Sequence, residues 1–439
     1  MAAGKGNVIS EELELFSDDP LQGQMEERTT ETILPLSTEY SNTITFEVKN
    51  NREGCYLDPA NIRLEVEVGI KKHDGTNWVN MAKGDKLFPI NNLLHSMFKD
   101  VECQVNNQVI NQNNSCYPYL SYIVTLLSYS DDYLDTQGFT FGWEKDEAKK
   151  FDTVDVADDS PRQARHMTFI NGSDVYHTRT LIGRFVGELF QQERLMVHGA
   201  DLRLVLRRTG HDFVLMGESA NKQQLVILKA LLHVDFVKID DTLLIKHYNM
   251  HQKKNMIIPI TRKLIKTYNI TKGTYSETIS SLFNQGILPK RMVLAMTTNQ
   301  AFNGIYNKNC FNFQHFGLTE LRVNYGGKDF PNKPFKPDFA NQDYTKSYMS
   351  LFQGTDKLDK DVHLPITYEE YPEGFTVFCF DFTPDISSSD NVKQLQKTGN
   401  ITIDLRFSSA LTQTVTLIAY AEYDNKIEID FAKNVYKDY

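Results

Sequence analysis

The sequence has neither a long apolar run nor a long basic run. No stretch of about 18 residues is uninterruptedly apolar, so we expect no membrane-spanning helix. Residues 1–19 are polar and then acidic, which argues against a secretory signal peptide. Basic residues occur in short clusters such as Arg207-Arg208 and Arg262-Lys263, and the net charge is −10. Such a chain repels a phosphate backbone, so we expect no direct sequence-specific binding of nucleic acid.

Cysteine is scarce, and its spacing argues against the common cysteine sites. The five cysteines are far apart and include no C-x-x-C pair: Cys55, Cys103, Cys116, Cys310 and Cys379. An odd number of scattered cysteines predicts free thiols in a reducing compartment, with no disulfide framework and no zinc cluster. We therefore expect the protein to be made inside a cell and not secreted.

The usual catalytic signatures are also absent. The sequence has no G-x-S-x-G, H-E-x-x-H, Walker or G-x-G-x-x-G motif. His247 and His251 are four residues apart on a predicted helix, but zinc usually takes at least three protein ligands. Asp381 and Asp385 could act as an acid/base pair, although a turn after a strand is the favoured role. We predict no enzymatic activity, no cofactor, and no catalytic, cofactor-binding or metal-binding residue.

Two further segments allow alternative interpretations. Gln191-Gln192-Glu193-Arg194 contains a charged pair, which is either a buried structural pair or a contact between subunits. The aromatic segment 311–316 (FNFQHF) could stack on nucleic-acid bases. Because no basic patch surrounds it, a core role is favoured.

The chain does contain ample material for a β-rich core. Hydrophobic residues make up 41% and charged residues 24%, which is typical of a globular protein. A length of 439 residues predicts two large domains. The 27 Phe and 21 Tyr favour pleated, half-buried surfaces over helical bundles.

Period-two alternation predicts strands in the first half. Residues 61–70 alternate cleanly, and 101–105 alternate before Asn106-Asn107, a pair suited to a hairpin turn. We also predict strands at 181–190, 201–208 and 225–237. In the last of these, one face should carry Val226, Leu228, Ala230, Leu232, Val234 and Phe236.

Two helices and one loop complete this half. Leu120, Ile123, Val124 and Leu127 lie at helical spacing and predict a helix at 117–129. The acidic segment 130–159 is interpreted as a long surface loop. Residues 241–250 begin with acidic residues and predict a second helix.

The same order of features recurs after this helix. Residues 320–323 alternate and end in Asn324-Tyr325-Gly326-Gly327, a second hairpin signal. An aromatic segment (344–352) and a charged loop (355–361) follow, and the Gly and aromatic residues of 374–382 match those of 183–190. Asp404-Leu405-Arg406 repeats Asp201-Leu202-Arg203. The alternation at 415–423 repeats that at 225–237. Six features in one order predict a duplication, with two unrelated β domains as the alternative.

We therefore predict an all-β chain of two tandem eight-stranded jelly-roll sandwiches with short inserted helices. The expected segments are an N-terminal arm at 1–30, a first jelly roll at 31–240, a connector at 241–255 and a second jelly roll at 256–439. The arm is acidic and lacks apolar periodicity, so it should be dispensable for folding and required for assembly.

The sequence also resembles a known family, the double jelly-roll major capsid proteins of Polinton/Maverick elements and adintoviruses. The resemblance runs from residue 12 to the C-terminus. It rests on ELELF (12–16), NNLLHSMF (91–98), YPY (117–119), LFQQER (189–194), LPKR (288–291), AFNG (301–304), FNF (311–313), KP (333–334), PDF (337–339), SLF (350–352), FTPD (382–385), YAE (420–422) and IEID (427–430).

The resemblance implies a non-catalytic major capsid protein. The family forms trimeric capsomers with pseudo-hexameric outlines in the icosahedral shell of a double-stranded DNA virus or virus-like element. The implied partners are two further copies of the chain, neighbouring capsomers, and penton and minor capsid proteins. The implied location is the virion capsid, assembled inside the host cell. The alternatives are a transient assembly scaffold of the same fold, a carbohydrate-binding jelly roll and an enzyme.

Overall fold

The computed structural model describes residues 22–111, 114–156, 160–218, 222–280, 282–283, 286–388 and 393–437. Within these residues the protein is built from antiparallel sheets with short helices between the strands. The predicted all-β class is confirmed.

The first half forms two facing sheets. Its strands are β1 (Met25–Ile33), β2 (Thr43–Val48), β3 (Cys55–His73), β4 (Trp78–Asn80), β5 (Leu87–Pro89), β6 (Phe98–Val105), β7 (Gln108–Val109), β8 (Arg179–Arg184), β9 (Leu202–Arg208), β10 (Leu215–Gly217) and β11 (Gln223–Ile239). One sheet has the order β1-β11-β3-β8, with β4 also paired to β3, and the other has the order β2-β9-β6-β7. A small β10-β5 sheet is added.

The second half repeats this arrangement. Its strands are β12 (Met256–Ile270), β13 (Ser276–Ile279), β14 (Arg291–Thr298), β15 (Leu318–Tyr325), β16 (Lys328–Phe335), β17 (Val377–Asp381), β18 (Ile401–Phe407), β19 (Val415–Ile429) and β20 (Val435–Lys437). The sheets have the orders β12-β19-β14-β17 and β13-β18-β15-β16, and β20 pairs with β19.

The strand orders demonstrate an internal duplication. In each half, eight strands follow the same path between the two sheets, which is the topology of a jelly roll. The helices in chain order are α1 (Leu93–Ser96), α2 (Tyr117–Ser128), α3 (Asp131–Thr136), α4 (Pro161–Met167), α5 (His211–Val214), α6 (Asp241–His251), α7 (Asn299–Asn303) and α8 (Thr345–Gln353). Both α2 and α8 lie between the fifth and sixth of these eight strands, that is, between β7 and β8 and between β16 and β17. The predicted pair of eight-stranded jelly rolls is confirmed.

The hairpin predictions are confirmed at both places. Asn106 and Asn107 have φ values of 46° and 67° and connect β6 to β7. Gly326 and Gly327 have φ values of 58° and 87° and connect β15 to β16. These backbone angles are the ones for which Asn and Gly are favoured in two-residue turns.

The predicted faces of β11 are only partly correct. Ala230, Leu232, Val234 and Phe236 are buried on one face, as expected, but Val226 and Leu228 point away from the core. The register of β11 against β3 shifts between Ile227 and Lys229. Such a bulge adds one residue and moves the following side chains to the opposite face, so Leu225 and Ile227 become the buried residues before it.

The predicted boundary between the arm and the first jelly roll, at 30/31, falls inside a strand. Strand β1 crosses it and pairs with β11 from Met25 opposite Ile239 to Ile33 opposite Leu232. Its side chains are nearly all exposed, so β1 has no apolar alternation for the sequence to reveal. Main-chain hydrogen bonds place this strand in the sheet. Residues 1–21 of the predicted arm lie outside the described residues.

The interpretation of 130–159 as a surface loop is wrong for its described part, 130–156. The segment contains α3 and a 3-10 helix at Gln137–Phe141, and it buries Phe141, Trp143 and Phe151. Some of its acidic residues, such as Asp132 and Asp135, are exposed, and they obscured the apolar residues between them in the sequence pattern. The predicted strand 181–190 is likewise shorter, because β8 ends at Arg184 and a 3-10 helix follows at Leu189–Gln191.

We predict that removal of residues 1–21 leaves folding intact, whereas removal of residues 1–33 destabilises the protein. The longer truncation deprives β11 of all its pairing with β1, and the net loss over several main-chain hydrogen bonds should be about 4 kcal/mol or more. Urea unfolding of both truncated chains, beside the full chain, measures the difference. Equal stability of the 1–33 truncation and the full chain would contradict the assigned role of β1.

Candidate functional site

Helix α2 joins the two sandwiches. It was predicted from one apolar face, but every residue from Tyr117 to Leu127 is buried. A helix that is apolar all round must be covered on all sides. The first sandwich covers part of α2, and residues from the second half cover the rest. One continuous core therefore contains side chains from β2 to β20.

Aromatic stacking connects α2 to the second half. Tyr122 stacks on Phe311 with ring centroids 4.0 Å apart, and it packs edge-on against Phe313. Tyr119 stacks on Phe302 at 5.0 Å. Phe311 and Phe313 have no exposed surface. The core role predicted for the 311–316 segment is therefore confirmed for both, and these two rings are not available to nucleic-acid bases.

Polar contacts extend the junction beyond the aromatic core. The Lys145 ammonium bonds Glu370 at 2.8 Å, and the Lys149 N–H donates to the Glu373 carbonyl at 3.0 Å. Asp152 accepts the Asn309 N–H at 2.9 Å. The segment taken for a surface loop is thus a bridge between the halves.

A cavity of about 530 Å³ lies beside α2, between the two sandwiches, and we call it the junction cavity. Its walls come from α2, the segment after β8, strands β12, β14 and β19, and the segments after α8 and after β17. Six cationic side chains line it: Arg194, Lys263, Lys290, Arg291, Lys357 and Lys393. Four acidic side chains also line it: Glu188, Glu193, Glu422 and Asp424. The lining therefore has an excess of two positive charges.

Two of the acids are neutralised locally. Glu422 accepts from the Arg291 guanidinium at 2.6 Å and from the Tyr420 hydroxyl. The Arg291 and Lys263 charges hold the pKa of Glu422 at about 2 despite its burial. Asp424 bonds the Lys290 ammonium at 2.9 Å. These two ion pairs neutralise Lys290 and Arg291, and the other four cationic side chains of the cavity are not part of them.

Glu188 and Lys263 face each other without forming an ion pair. Glu188 accepts the Lys263 backbone N–H at 3.1 Å through one oxygen, and its other oxygen has no partner among the described residues. Burial raises the pKa of Glu188 to about 7. Burial also lowers the pKa of Lys263 to about 8. Both shifts arise because desolvation disfavours the charged form.

Lys357 is a second lysine in an unfavourable environment. Its ammonium is buried and has no hydrogen-bond partner within the described part of the chain. Burial, together with the nearby Arg291 charge, lowers its pKa to about 8. The junction cavity thus contains two lysines, Lys263 and Lys357, that form no ion pair with a carboxylate of the described residues.

The segment 191–194 does not contain the buried ion pair that was one of its two interpretations, and the other, a contact between subunits, stays a prediction. No ion pair joins Glu193 and Arg194, both of which are described and exposed. Gln192 is buried, and its side chain bonds the backbone of Arg194. The Arg194 guanidinium donates to the Ile257 carbonyl of β12 at 2.8 Å, which adds another bond between the halves.

The remaining candidate residues have structural contacts. His247 bonds the Tyr56 hydroxyl at 3.1 Å, and His251 packs against Phe431. Asp381 accepts from the backbone N–H groups of Thr383 and Ser388, which makes it a turn residue, as favoured above. The exposed Asp385 accepts from Gln394 instead.

The described residues contain neither a candidate metal cluster nor a helix suited to crossing a membrane. No group of three or more His, Cys, Asp or Glu side chains there could hold a metal ion. No described helix combines the length and apolar character needed to cross a bilayer. All five cysteines are free thiols, and only Cys55 is partly exposed.

Sequence reasoning missed the charged residues of the junction cavity. Glu422 interrupts the apolar run of β19, and Lys263 lies in the middle of β12, which is buried for much of its length. A charge inside an apolar strand is the signal that could have found them, because such groups are rarely buried without a partner.

No family model matches this chain. A curated relative, the uncharacterized protein F54H12.2 of Caenorhabditis elegans, is 22% identical over 398 residues, which cover 88% of this chain and 91% of the relative. At this identity the likeness assigns neither a family nor a function.

Solved structures match over nearly the whole chain. A chain of the Sputnik virophage cryo-EM structure is 11% identical with a TM-score of 0.68, covering 99% of this chain and 93% of that one. A chain of the PBCV-1 virus capsid is 12% identical with a TM-score of 0.59, covering 97% and 99%. The mavirus major capsid protein is 11% identical with a TM-score of 0.54, covering 100% and 95%.

The fold is a double jelly roll. The matches span both halves, so they agree with the duplicated strand order and with the way the two sandwiches adjoin. The double jelly roll expected from the sequence resemblance is therefore confirmed.

We predict that Phe311→Ala destabilises the whole chain by about 3 to 5 kcal/mol, because it removes a buried ring from between the sandwiches and leaves a cavity. Chemical unfolding followed by both fluorescence and far-UV circular dichroism measures the loss. The control is Tyr275→Ala, since Tyr275 is 57% exposed. A Phe311 variant as stable as that control would contradict the junction role.

We further predict that Glu188→Gln stabilises the protein at pH 8 and not at pH 5. The Glu188 pKa is raised from 4.5 to about 7 in the folded chain, so stability is lost as pH rises through this window. The amide side chain of the Glu188→Gln variant would still accept the hydrogen bond from the Lys263 backbone N–H, but it cannot ionise. The substitution therefore avoids the loss of folding free energy that ionisation of Glu188 causes, which is on the order of 3 kcal/mol.

Urea unfolding at the two pH values tests this pH dependence. Glu193→Gln is the matched control, because Glu193 is an exposed neighbour in the same cavity wall. Its stability should equal that of the unmodified chain at both pH values. A Glu188→Gln protein that is less stable than the unmodified chain at pH 8 would show that Glu188 is stabilised in its ionised form.

Proposed function

We propose that this protein is a major capsid protein. In this proposal it is structural and non-catalytic, and it forms homotrimeric capsomers with a pseudo-hexameric outline. These build the icosahedral shell of a double-stranded DNA virus or virus-like element. Its partners are neighbouring capsomers and penton and minor capsid proteins, and it is assembled inside the host cell.

The observation that carries the proposal is the duplicated jelly roll. The fold matches a virophage chain, a virus capsid chain and a major capsid protein over at least 95% of this chain, so no large part of the molecule is left for another role. Two similar sandwiches side by side give a two-lobed subunit. Three such subunits around an axis present six similar lobes, which can tile a hexagonal array.

We assign the chain to the Polinton/Maverick and adintovirus type within that class. The support is the ordered set of sequence blocks from 12–16 to 427–430. Several blocks lie at structurally distinctive places: YPY (117–119) opens α2, and FNF (311–313) supplies the rings against it.

We propose the following division of the chain. Along the chain, the connector 241–255 joins the two sandwiches and contains α6. The second jelly roll occupies 256–439. Because the aromatic junction gives both sandwiches one core, the subunit behaves as one rigid body in the shell. The first jelly roll begins by Met25, so only the residues before it remain candidates for an assembly arm.

A candidate contact between subunits lies on α6. None of its residues is buried, and two of them have large apolar side chains that face solvent: Ile245 is 61% and Tyr248 is 56% exposed. These two side chains share a helix face, and Tyr248 packs edge-on against the exposed Phe431. We call Ile245, Tyr248 and Phe431 the α6 patch. Permanent subunit interfaces are enriched in such aromatic and apolar side chains at their centres.

We predict a homotrimer in native mass spectrometry of the purified protein. A stable monomer or dimer at assembly concentrations would contradict the capsomer. Electron microscopy of assembled particles then separates a capsid subunit from a scaffold, since a scaffold is lost from mature particles and a capsid subunit is retained.

Variants of α6 locate the contact independently of the trimer prediction. Ile245→Asp should convert trimers to monomers without changing the far-UV spectrum, because it buries a charge in the proposed interface. Lys246→Asp is the control, since this exposed neighbour points about 100° away around the helix. A trimer that survives Ile245→Asp would reject the α6 contact while leaving the capsomer intact.

A further inference from the structure

The junction cavity has a charge distribution that the jelly-roll fold does not require. After the pairs Lys290–Asp424 and Arg291–Glu422 are formed, no described carboxylate lies within ion-pair distance of Lys263 or Lys357, and the Lys357 ammonium has no hydrogen-bond partner among the described residues. A buried ammonium group without a partner destabilises a protein. The Lys263 and Lys357 ammonium groups in one cavity therefore form a positively charged site that a bound anion would stabilise.

The cavity is also accessible and large enough for a ligand. It opens to solvent beside Glu193 and Lys393, both of which are exposed. Its volume of about 530 Å³ exceeds what one small ion needs and lies within the range of sites for small organic ligands. Its lysines come from separate elements: β12 carries Lys263, and Lys357 lies after α8.

We propose that the junction cavity is a binding site for a small polyphosphate anion, which Lys263, Lys357 and Lys393 hold. Ammonium groups bind phosphate oxygens through charge-assisted hydrogen bonds. A chain of phosphate groups matches several lysines spread over one cavity better than a single carboxylate does. The paired Glu422 and Asp424 carboxylates are already neutralised, so they oppose the ligand less than free carboxylates would.

This proposal does not depend on the capsid function. The ligand would bridge the two sandwiches, because Lys263 and Lys357 belong to the second half while α2 and the segment after β8 form the opposite wall. Bound anion should therefore raise the unfolding temperature of the whole chain.

The test is isothermal titration calorimetry of the full chain with inorganic tripolyphosphate in phosphate-free buffer at pH 7. Saturable binding of one tripolyphosphate per chain is expected, together with a raised unfolding temperature. Lys263→Met and Lys357→Met should each weaken binding about tenfold or more. Lys266→Met is the matched control, because Lys266 is on β12 but not in the cavity lining, and it should bind as the unmodified chain does.

The folding of the variants is checked in the absence of anion. Each cavity variant loses an unpaired ammonium group, so its unfolding temperature should equal or exceed that of the unmodified chain. The anion could be a nucleotide or an inorganic phosphate chain, and parallel titrations with dATP and tripolyphosphate distinguish the two. Tighter binding of dATP than of tripolyphosphate assigns a nucleotide, and equal binding assigns the phosphate chain alone.

Two results would overturn the proposal. The first is the absence of saturable binding of either probe to the unmodified chain. The second is an equal loss of affinity in Lys266→Met and in both cavity variants, because this would show general attraction to surface charge.

Discussion

The whole structure depends on covering α2. A helix buried from Tyr117 to Leu127 cannot be left at the edge of one sandwich, because its apolar surface would then face water. The second sandwich supplies the missing cover through Phe302, Phe311 and Phe313. The junction cluster therefore contains side chains of both jelly rolls, while a separate cluster of second-half residues fills the inside of the second sandwich.

Charge placement at the junction follows a different rule from the surrounding core. Glu422 and Arg291 satisfy each other in a buried pair, so both remain ionised at neutral pH. Glu188 and Lys357 lack such partners among the described residues, and burial moves their pKa values toward neutrality. The protein tolerates this cost beside a large apolar core, whose burial provides most of the stability.

The period-two pattern was enough to predict the class, the paired jelly rolls and both hairpins. Alternation reveals a strand only where one face is buried, which holds for β3 and β18. It failed for β1, which is held by main-chain bonds, and for the start of β11, where a bulge changes the buried face. Neither feature has a side-chain signature in this sequence.

The candidate site was less predictable than the fold. The buried positions of Phe311 and Phe313 followed from the lack of neighbouring basic residues. The junction cavity could not be foreseen, since its walls combine residues more than 200 positions apart, such as Glu188 and Glu422. Only the folded arrangement of both halves brings these charges together.

The different burial of α2 and α8 shows how far the two repeats have diverged. The helices occupy the same position in the duplicated topology, yet α2 is buried along its length, whereas only Ser347, Ser350 and Leu351 are buried in α8. An ancestral single sandwich could pair with an identical copy. In the present chain the halves differ, because α2 needs the cover that Phe302 and Phe311 of the second half provide. Recombination between related genes would preserve folding only if α2 and the 302–313 segment were inherited together.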